Sequence, residues 1–294
     1  MKPVILVTGA TGYVGSHLVA RLAGEGNAVR CLVRDPEARL PAGVEAVRGD
    51  VTEPRSLPAA VEGMEVVIHC AAITGDRKEP YRGAYERVNR EGTANLVAAA
   101  GAAGVKRLVA MSGLGCRPAP AGTYMATRWG LEEAVRAGGI PYVILQPSVL
   151  FGAGAPFVAA LASLARRSPV LPALGGGGTR FQPLWVEDLV TCLVTAITRD
   201  ELLGAEHPLG GAEILSFREI LRTITTALGK RRLILPLPLG IARLQARAMT
   251  ALLPTPPLTP AAIELFSFEN ATELDSVERR FQFKPKGFRE IPLP

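Results

Sequence analysis

Three glycines in the spacing G-x-x-G-x-x-G, Gly9, Gly12 and Gly15, follow an apolar run that begins at Val4 and lead at once into the helical pattern Ser16-His17-Leu18-Val19. This is the composition of a phosphate-binding turn between a buried strand and a helix. Gly9 lets the chain reverse tightly, Gly12 lets backbone approach a pyrophosphate, and Gly15 lets the helix pack close on the strand. The anion then sits at the helix N-terminus, where unpaired N–H groups and the dipole favour negative charge. Thr11, Tyr13 and Val14 lie within the same turn and complete its expected contacts. The reading is dinucleotide binding, against a purely structural turn.

Such a turn needs a strand before it, a helix after it and a sheet around it. Residues 28–33 (AVRCLV) read as a second strand, 45–51 as a short third, 65–72 (EVVIHCAA) as a buried fourth, 107–111 as a fifth and 142–145 as a sixth. Residues 84–100 have the spacing of a long amphipathic helix. Apolar strands alternating with helices predict a parallel sheet covered on both faces, an α/β doubly wound arrangement. The ligand then belongs at the C-terminal strand ends, which is where the unusual residues fall.

After Pro147 the texture changes. Proline and glycine become frequent, the glycine run 175–178 reads as a flexible loop, and helices are expected over 156–167 and 186–197. From Leu233 an apolar, proline-punctuated tail follows, with Arg243 and Arg247 on one helix face. It reads as a small second lobe over the cofactor cleft, with an interfacial membrane helix as the competing reading. The expected division is a dinucleotide-binding domain over 1–148, to which 181–198 return, and a small C-terminal substrate or partner lobe over 149–180 and 199–294.

With 294 residues and 48% apolar content the chain can bury a large core. Its net charge is +6 and its pI near 9.4, but Lys and Arg are spread along the chain, so a solvated surface rather than nucleic-acid binding is expected. Cys31, Cys70, Cys116 and Cys192 are far apart without a C-x-x-C pair, which points to a reduced compartment and to no metal site. Met1-Lys2-Pro3 runs straight into the first strand, and no stretch of about eighteen residues lacks charge and proline. Neither a signal peptide nor a spanning helix is expected, and the location is read as cytoplasmic, with a peripheral membrane or protein partner for residues 233–268.

Together with the glycine turn, Asn89 in VNREGTANL, Ser112 in MSGLG, Tyr124 in YMATR, PSVLFG at 147–152 and WVEDL at 185–189 resemble the short-chain dehydrogenase/reductase superfamily on its extended or atypical side. The NAD-dependent epimerase/dehydratase and NmrA-like families are its neighbours. The tail PPLTPAAIELFSFEN at 256–270 is similar to the group around the nucleotide-binding accessory subunit of respiratory complex I. The resemblance covers most of the chain and implies a Rossmann fold. It also implies proton transfer beside a nicotinamide, through a tyrosine four residues before a lysine and a serine at the end of the fifth strand. Tyr124 and Ser112 occupy those places, but the i+4 residue is Arg128. A cation there stabilises a tyrosinate and reaches the nicotinamide ribose. Arginine keeps the charge, yet essentially never gives up its proton. Weak, altered or absent reductase activity with binding intact therefore stands level with ordinary catalysis, and Tyr124 as a half-buried packing residue is the structural alternative.

Cofactor choice is read at the end of the second strand, Leu32-Val33-Arg34-Asp35. Arg34 would pair a ribose 2′-phosphate, whereas Asp35 could accept from a free 2′-hydroxyl, and NADP(H) is expected over NAD(H). The resemblance places Asp50 and Val51 at the adenine edge, Ala71 and Ala72 at the small-residue strand end, and Pro147 and Ser148 beside the nicotinamide. Asp50, Val51, Ala71 and Ala72 could equally serve a turn or packing. Asn89 is implied as structural support, against a plain exposed asparagine; His69 reads as a hydrogen-bonded core residue rather than a base. Glu187-Asp188 reads as a helix start.

Two functions compete. One is a nicotinamide-dependent oxidoreductase, or a sugar-nucleotide epimerase or dehydratase, acting on a carbonyl or alcohol of a small molecule. Tyr124 would be acid or base, Ser112 the oxygen holder and Arg128 the charge support, with Arg166, Arg167 and Arg180 free to meet a second diphosphate. The other is a cofactor-loaded scaffold, redox sensor or respiratory-complex assembly factor docking through its apolar tail.

Overall fold

The computed structural model describes residues 2–35 and 37–292. The chain divides into two compact units, the first comprising Met1–Ile73, Glu79–Gln146 and Leu189–His207, the second Thr74–Lys78, Pro147–Asp188 and Pro208–Pro294.

The first unit is built on β1 (Ile5–Thr8), β2 (Val29–Val33), β3 (Glu45–Arg48), β4 (Val66–His69), β5 (Arg107–Met111) and β6 (Tyr142–Pro147). They run in the order β3-β2-β1-β4-β5-β6, and the strand Ala205–Leu209 beyond β6 completes a seven-stranded sheet. Every pairing from β3 to β6 is parallel. Ile5, Leu6 and Val7 are all fully buried, as apolar strands covered on both faces must be. On one face Leu6, Val67, Leu108 and Ile144 share a core with three helices. Those are α2 (Pro58–Val61), α3 (Gly92–Ala102) and α4 (Tyr124–Ala137), the last two contributing Leu96, Val97, Leu131 and Val135. The helix α1 (Tyr13–Gly24) touches β1 and β2 and buries Val14, Leu18 and Leu22 at i, i+4 spacing. Strand order reverses between β1 and β4, so the crevice at their C-terminal ends is the topological switch point.

One stretch departs from its sequence pattern. Residues 84–100 are not one helix: a π-helical turn, Glu86–Glu91, precedes α3. The wider turn seats Asn89 at full burial, so the polar residue that is a poor helix former is used rather than tolerated.

The second unit contains three short pairings: Leu150–Phe151 with Leu184–Trp185, Arg180–Phe181 with Leu215–Ser216, and Val170–Leu174 with Leu233–Leu237. Its core is aromatic. Phe266 meets Phe181 and Phe217 edge to face, with ring centroids 5.3 and 4.8 Å apart. The helix Phe217–Ala227 opens with a capping box in which Ser216 and Glu219 satisfy each other's backbone N–H. The glycine run is a left-handed turn, with Gly175, Gly176 and Gly177 at φ of 60°, 79° and 81°, which glycine alone adopts readily. The tail becomes the strand Leu233–Leu237 and the helices Leu239–Leu252 and Pro260–Glu264. Among the described residues no helix is long and apolar enough to cross a membrane.

Candidate cofactor and catalytic site

The glycine turn leaves β1 through Gly9 at φ +72°. A Cβ there would lie 2.7 Å from both the Cys70 carbonyl carbon and the Ala71 nitrogen, so the turn rests directly on the chain leaving β4. A Cβ on Gly15 would meet the Gly9 oxygen at 2.1 Å, which is why α1 can start so close to the strand. The Gly12 N–H bonds to the Gly9 carbonyl at 2.9 Å, and Ser16 N–H is bonded to Gly12 O at 2.9 Å. Gly12 caps α1 without a side chain, and no acidic residue occupies the first turn. The end that should receive an anion therefore keeps its positive dipole uncompensated by side-chain charge. Thr11 is exposed, Tyr13 stacks edge-on against His17 at 5.4 Å, and Val14 anchors the helix in the core.

Beside this turn lies a cleft of about 630 Å³ lined by Thr11, Ser16, Asp35 and Arg39. Arg34 and Asp35 are both exposed at the end of β2. Asp35 Oδ1 accepts the Glu37 N–H at 3.0 Å and so closes its own turn. Asp50 likewise accepts from Thr52, through N–H at 2.8 Å and hydroxyl at 2.9 Å. Val51 is buried, and its carbonyl receives the Asn95 amide at 3.0 Å. Ala71 and Ala72 are half-buried just past β4, and Ala71 N–H donates to Thr8 Oγ1 at 3.4 Å. Pro147 closes β6, where the chain passes into the second unit.

The proton-transfer candidates fall on β5 and α4. Ser112 follows β5, and its N–H bonds to the Leu145 carbonyl at 2.8 Å, carrying the ladder one residue further. Thr123 caps α4 by accepting the Ala126 N–H at 3.2 Å, which puts Tyr124 on the first turn and Arg128 on the second. Arg128 is only 5% exposed and donates from Nη2 to the Met111 carbonyl at 3.1 Å, so its guanidinium is fixed at the end of β5 next to Ser112. The Tyr124 ring meets Tyr85 edge-on at 5.3 Å. Ser112 Oγ and Arg128 Nη1 are buried and, among the described residues, have no hydrogen-bond partner closer than a weak contact of the Ser112 hydroxyl with the Cys116 thiol. Buried polar atoms are rarely left so, and these two lie together at one strand end.

Behind them runs a buried relay. Thr93 donates to the Asn89 carbonyl at 2.6 Å, so its oxygen accepts from His69 Nε2 at 2.9 Å, and His69 Nδ1 in turn accepts from Thr8 at 2.7 Å. This order fixes a neutral imidazole protonated on Nε2. Burial, assisted by the Arg128 charge, lowers the His69 pKa to about 3. His69 is a core histidine tying β1, β4 and α3 together. The Asn89 side chain accepts the Ile73 N–H at 2.8 Å, donates to the Ile73 carbonyl at 3.0 Å and reaches Thr127 at 3.2 Å. It thus fixes the chain after β4 to the first turns of α4.

A family model described as NAD(P)H-binding matches residues 9–156. The chain belongs to this NAD(P)H-binding family. It is 36% identical over 241 residues to a ceramide reductase of Caulobacter vibrioides, covering 81% of this chain and 74% of that protein. It is 25% identical over 281 residues to the mitochondrial NADH dehydrogenase [ubiquinone] 1 alpha subcomplex subunit 9 of Arabidopsis thaliana, covering 92% and 69%. An epimerase structure from Methanothermobacter thermautotrophicus matches with a TM-score of 0.77 at 21% identity, over 98% of this chain and 89% of that one, which shows the shared fold. The chain is a nicotinamide-binding Rossmann protein, in keeping with its resemblance to the short-chain dehydrogenase/reductase superfamily.

The residues present fit such a cofactor in this NAD(P)H-binding chain. A Cβ at Gly9 or Gly15 would collide with neighbouring backbone, so the turn presents bare main chain, and two buried polar atoms without protein partners stand at the end of β5. Gly9 through Gly15 would hold the diphosphate, and Arg128 would meet the ribose.

Several contributors were not read from the sequence. Thr93 and Thr127 look like ordinary helix residues until the sheet places them around His69 and Asn89, and Thr8, legible only as flanking the glycine turn, proves to bond His69. Glu132, fully buried, accepts from Arg136 Nη2 at 2.6 Å and from Gln146 Nε2 at 2.8 Å. Its signal was present as the spacing Arg128, Glu132, Arg136, each four residues on. Burial, with the Glu132 charge adding to it, pushes the Cys116 thiol up to about 12, so this cysteine beside Ser112 is an inert neighbour.

Proposed function

We propose that the chain is an NADP(H)-preferring reductase of a carbonyl compound, with Tyr124 as proton donor, Ser112 as oxygen holder and Arg128 as charge support. The observation that carries this reading is the pair of buried, unsatisfied polar atoms, Ser112 Oγ and Arg128 Nη1, at the end of β5. When bound, a reduced nicotinamide supplies a hydride to the carbonyl carbon. The Ser112 hydroxyl holds the carbonyl oxygen by donating to it, and the Tyr124 phenol gives that oxygen a proton, so that an alcohol and a tyrosinate result. Arg128 stabilises the tyrosinate by its charge alone, and Tyr124 is reprotonated from water.

Arg34 supports the phosphorylated cofactor, because it is exposed at the end of β2 while Asp35 spends an oxygen on its own turn; Arg39, lining the adjoining cleft, adds a second cation. A reductase is favoured over a sugar-nucleotide enzyme by Arg180, which is forked onto Glu269 and so already engaged. The relative named for ceramide makes long-chain carbonyl compounds the first substrates to try.

The scaffold reading is favoured by one observation, the arginine in place of a proton-relaying lysine, and the test separates the two. Reduced cofactor is mixed with a panel of long-chain ketones, aldehydes and quinones, and oxidation is followed optically. The enzyme reading expects turnover that Tyr124→Phe abolishes while cofactor affinity stays within about twofold, and Arg128→Lys raises it. No oxidation with any acceptor, or turnover unchanged in Tyr124→Phe, selects the scaffold.

A further inference from the structure

The helix Leu239–Leu252 is amphipathic in the wrong sense for a helix that only packs against its own unit. It buries just Ala242 and Ala246, while Ile241, Leu244 and Leu252 stand in solvent, Leu244 and Leu252 at 70% and 81% exposure. With Ala248 these residues recur at i, i+3, i+7 and i+11, a single stripe on the side away from the two buried alanines. Arg243 and Arg247, both exposed, flank that stripe. The strand Leu233–Leu237 enters the helix through Pro238 and repeats the pattern: Leu233 and Leu235 are exposed on one face, and Leu233 is in register with exposed Val170.

Cations gather around this sheet from two distant stretches. Arg232 donates to the Ala165 carbonyl at 2.6 Å, which brings Lys230 and Arg231 to the helix end that carries exposed Arg166 and Arg167. No Asp or Glu occurs anywhere in 134–186 or 230–263. An apolar stripe with arginines at its margin lets aliphatic stems and leucines enter an acyl layer while the guanidinium groups stay at the headgroups.

The geometry points to a bilayer surface bearing anionic headgroups as the occupant of this face, with the helix Leu239–Leu252 lying in the plane of the interface. A second copy of the chain fits poorly, because a two-fold contact through this face would set the same unscreened cations against each other. The surface goes beyond the catalytic reading and does not rest on it: a protein without turnover would bind the same membrane.

Co-sedimentation tests it on the whole chain, with vesicles of phosphatidylcholine alone and of equimolar phosphatidylcholine and phosphatidylglycerol. The protein pellets with the mixed vesicles, and raising the salt releases it. Arg243→Gln with Arg247→Gln lowers partitioning about 30-fold, since each surface arginine contributes roughly fivefold on anionic lipid. Leu244→Gln with Leu252→Gln lowers it about tenfold or more. All four side chains are exposed, so unfolding should not intervene, and an unchanged thermal midpoint and cofactor titration verify this. The proposal fails if the protein stays in the supernatant with both vesicles at low salt, or if both double variants pellet like the parent. It also fails if the parent sediments as a dimer that Leu244→Gln with Leu252→Gln converts to a monomer, because the face would then belong to a second copy.

Discussion

Gly15→Ala isolates the step on which cofactor binding depends. A carbon approaches a carbonyl oxygen no closer than about 3.3 Å without strain, and the new methyl would sit 2.1 Å from Gly9 O and 2.8 Å from Gly9 C. Relief needs a shift of about 1.2 Å, and the obstacle is backbone, not a side chain that can swing away. Overpacking of this kind costs about 3 kcal/mol at the upper end, which for a chain of this size lowers the thermal midpoint by about 5 °C. The larger effect is on binding. Moving the start of α1 relative to Gly9 spoils at least two N–H contacts to a charged diphosphate, each about 1.5–3 kcal/mol, so dinucleotide affinity falls about a hundredfold or more. Gly24→Ala is the control, since nothing lies within 4 Å of its Cβ position and its backbone is helical. It should leave affinity unchanged and stability equal or slightly raised. Fluorescence titration with NADPH and thermal melts measure both variants. Indistinguishable results for Gly15→Ala and Gly24→Ala would refute the close-approach argument.

Three further expectations concern the surrounding residues. His69 titrates from 6.5 in the unfolded chain to about 3 when folded. Its neutral form is the folded one, so its contribution is complete above 6.5 and is lost, at up to about 1.4 kcal/mol per pH unit, as pH falls through that window. Urea midpoints between about pH 7 and about pH 4 should show this slope, and an equal slope in His69→Gln would remove His69 as its source. Glu132→Ala leaves the buried Gln146 amide without its acceptor and takes one of two carboxylates from Arg136, which keeps Glu206, and chemical denaturation should show a loss of about 2 kcal/mol, whereas a loss under about 0.5 kcal/mol would mean the contact is not structural. Arg34→Ala should weaken NADPH binding about tenfold or more and leave NADH within about twofold; equal losses for both cofactors would overturn the assignment of Arg34 to the 2′-phosphate.

The glycine spacing, the alternation of apolar strands with helices and the Tyr124, Arg128 pair on one helix face are local patterns, and chain stereochemistry alone makes them legible. The buried character of His69, inside an apolar strand, follows from the same local rules, whereas the strand order is set by how the crossovers pack. Asn89 shows the limit. Nothing in VNREGTANL announces a π-helical turn, because that turn exists only where the amide can bond both backbone groups of Ile73, sixteen residues away. The meeting of Arg128 with the carbonyl of Met111 and the joining of Arg166 and Arg167 to Lys230, Arg231 and Arg232 are likewise products of folding. Sequence periodicity fixes which side of an element is apolar. Only the tertiary structure decides whether that side finds a partner, since burial is a property of what the rest of the chain brings against it, and on the helix Leu239–Leu252 the described residues leave the leucine stripe exposed.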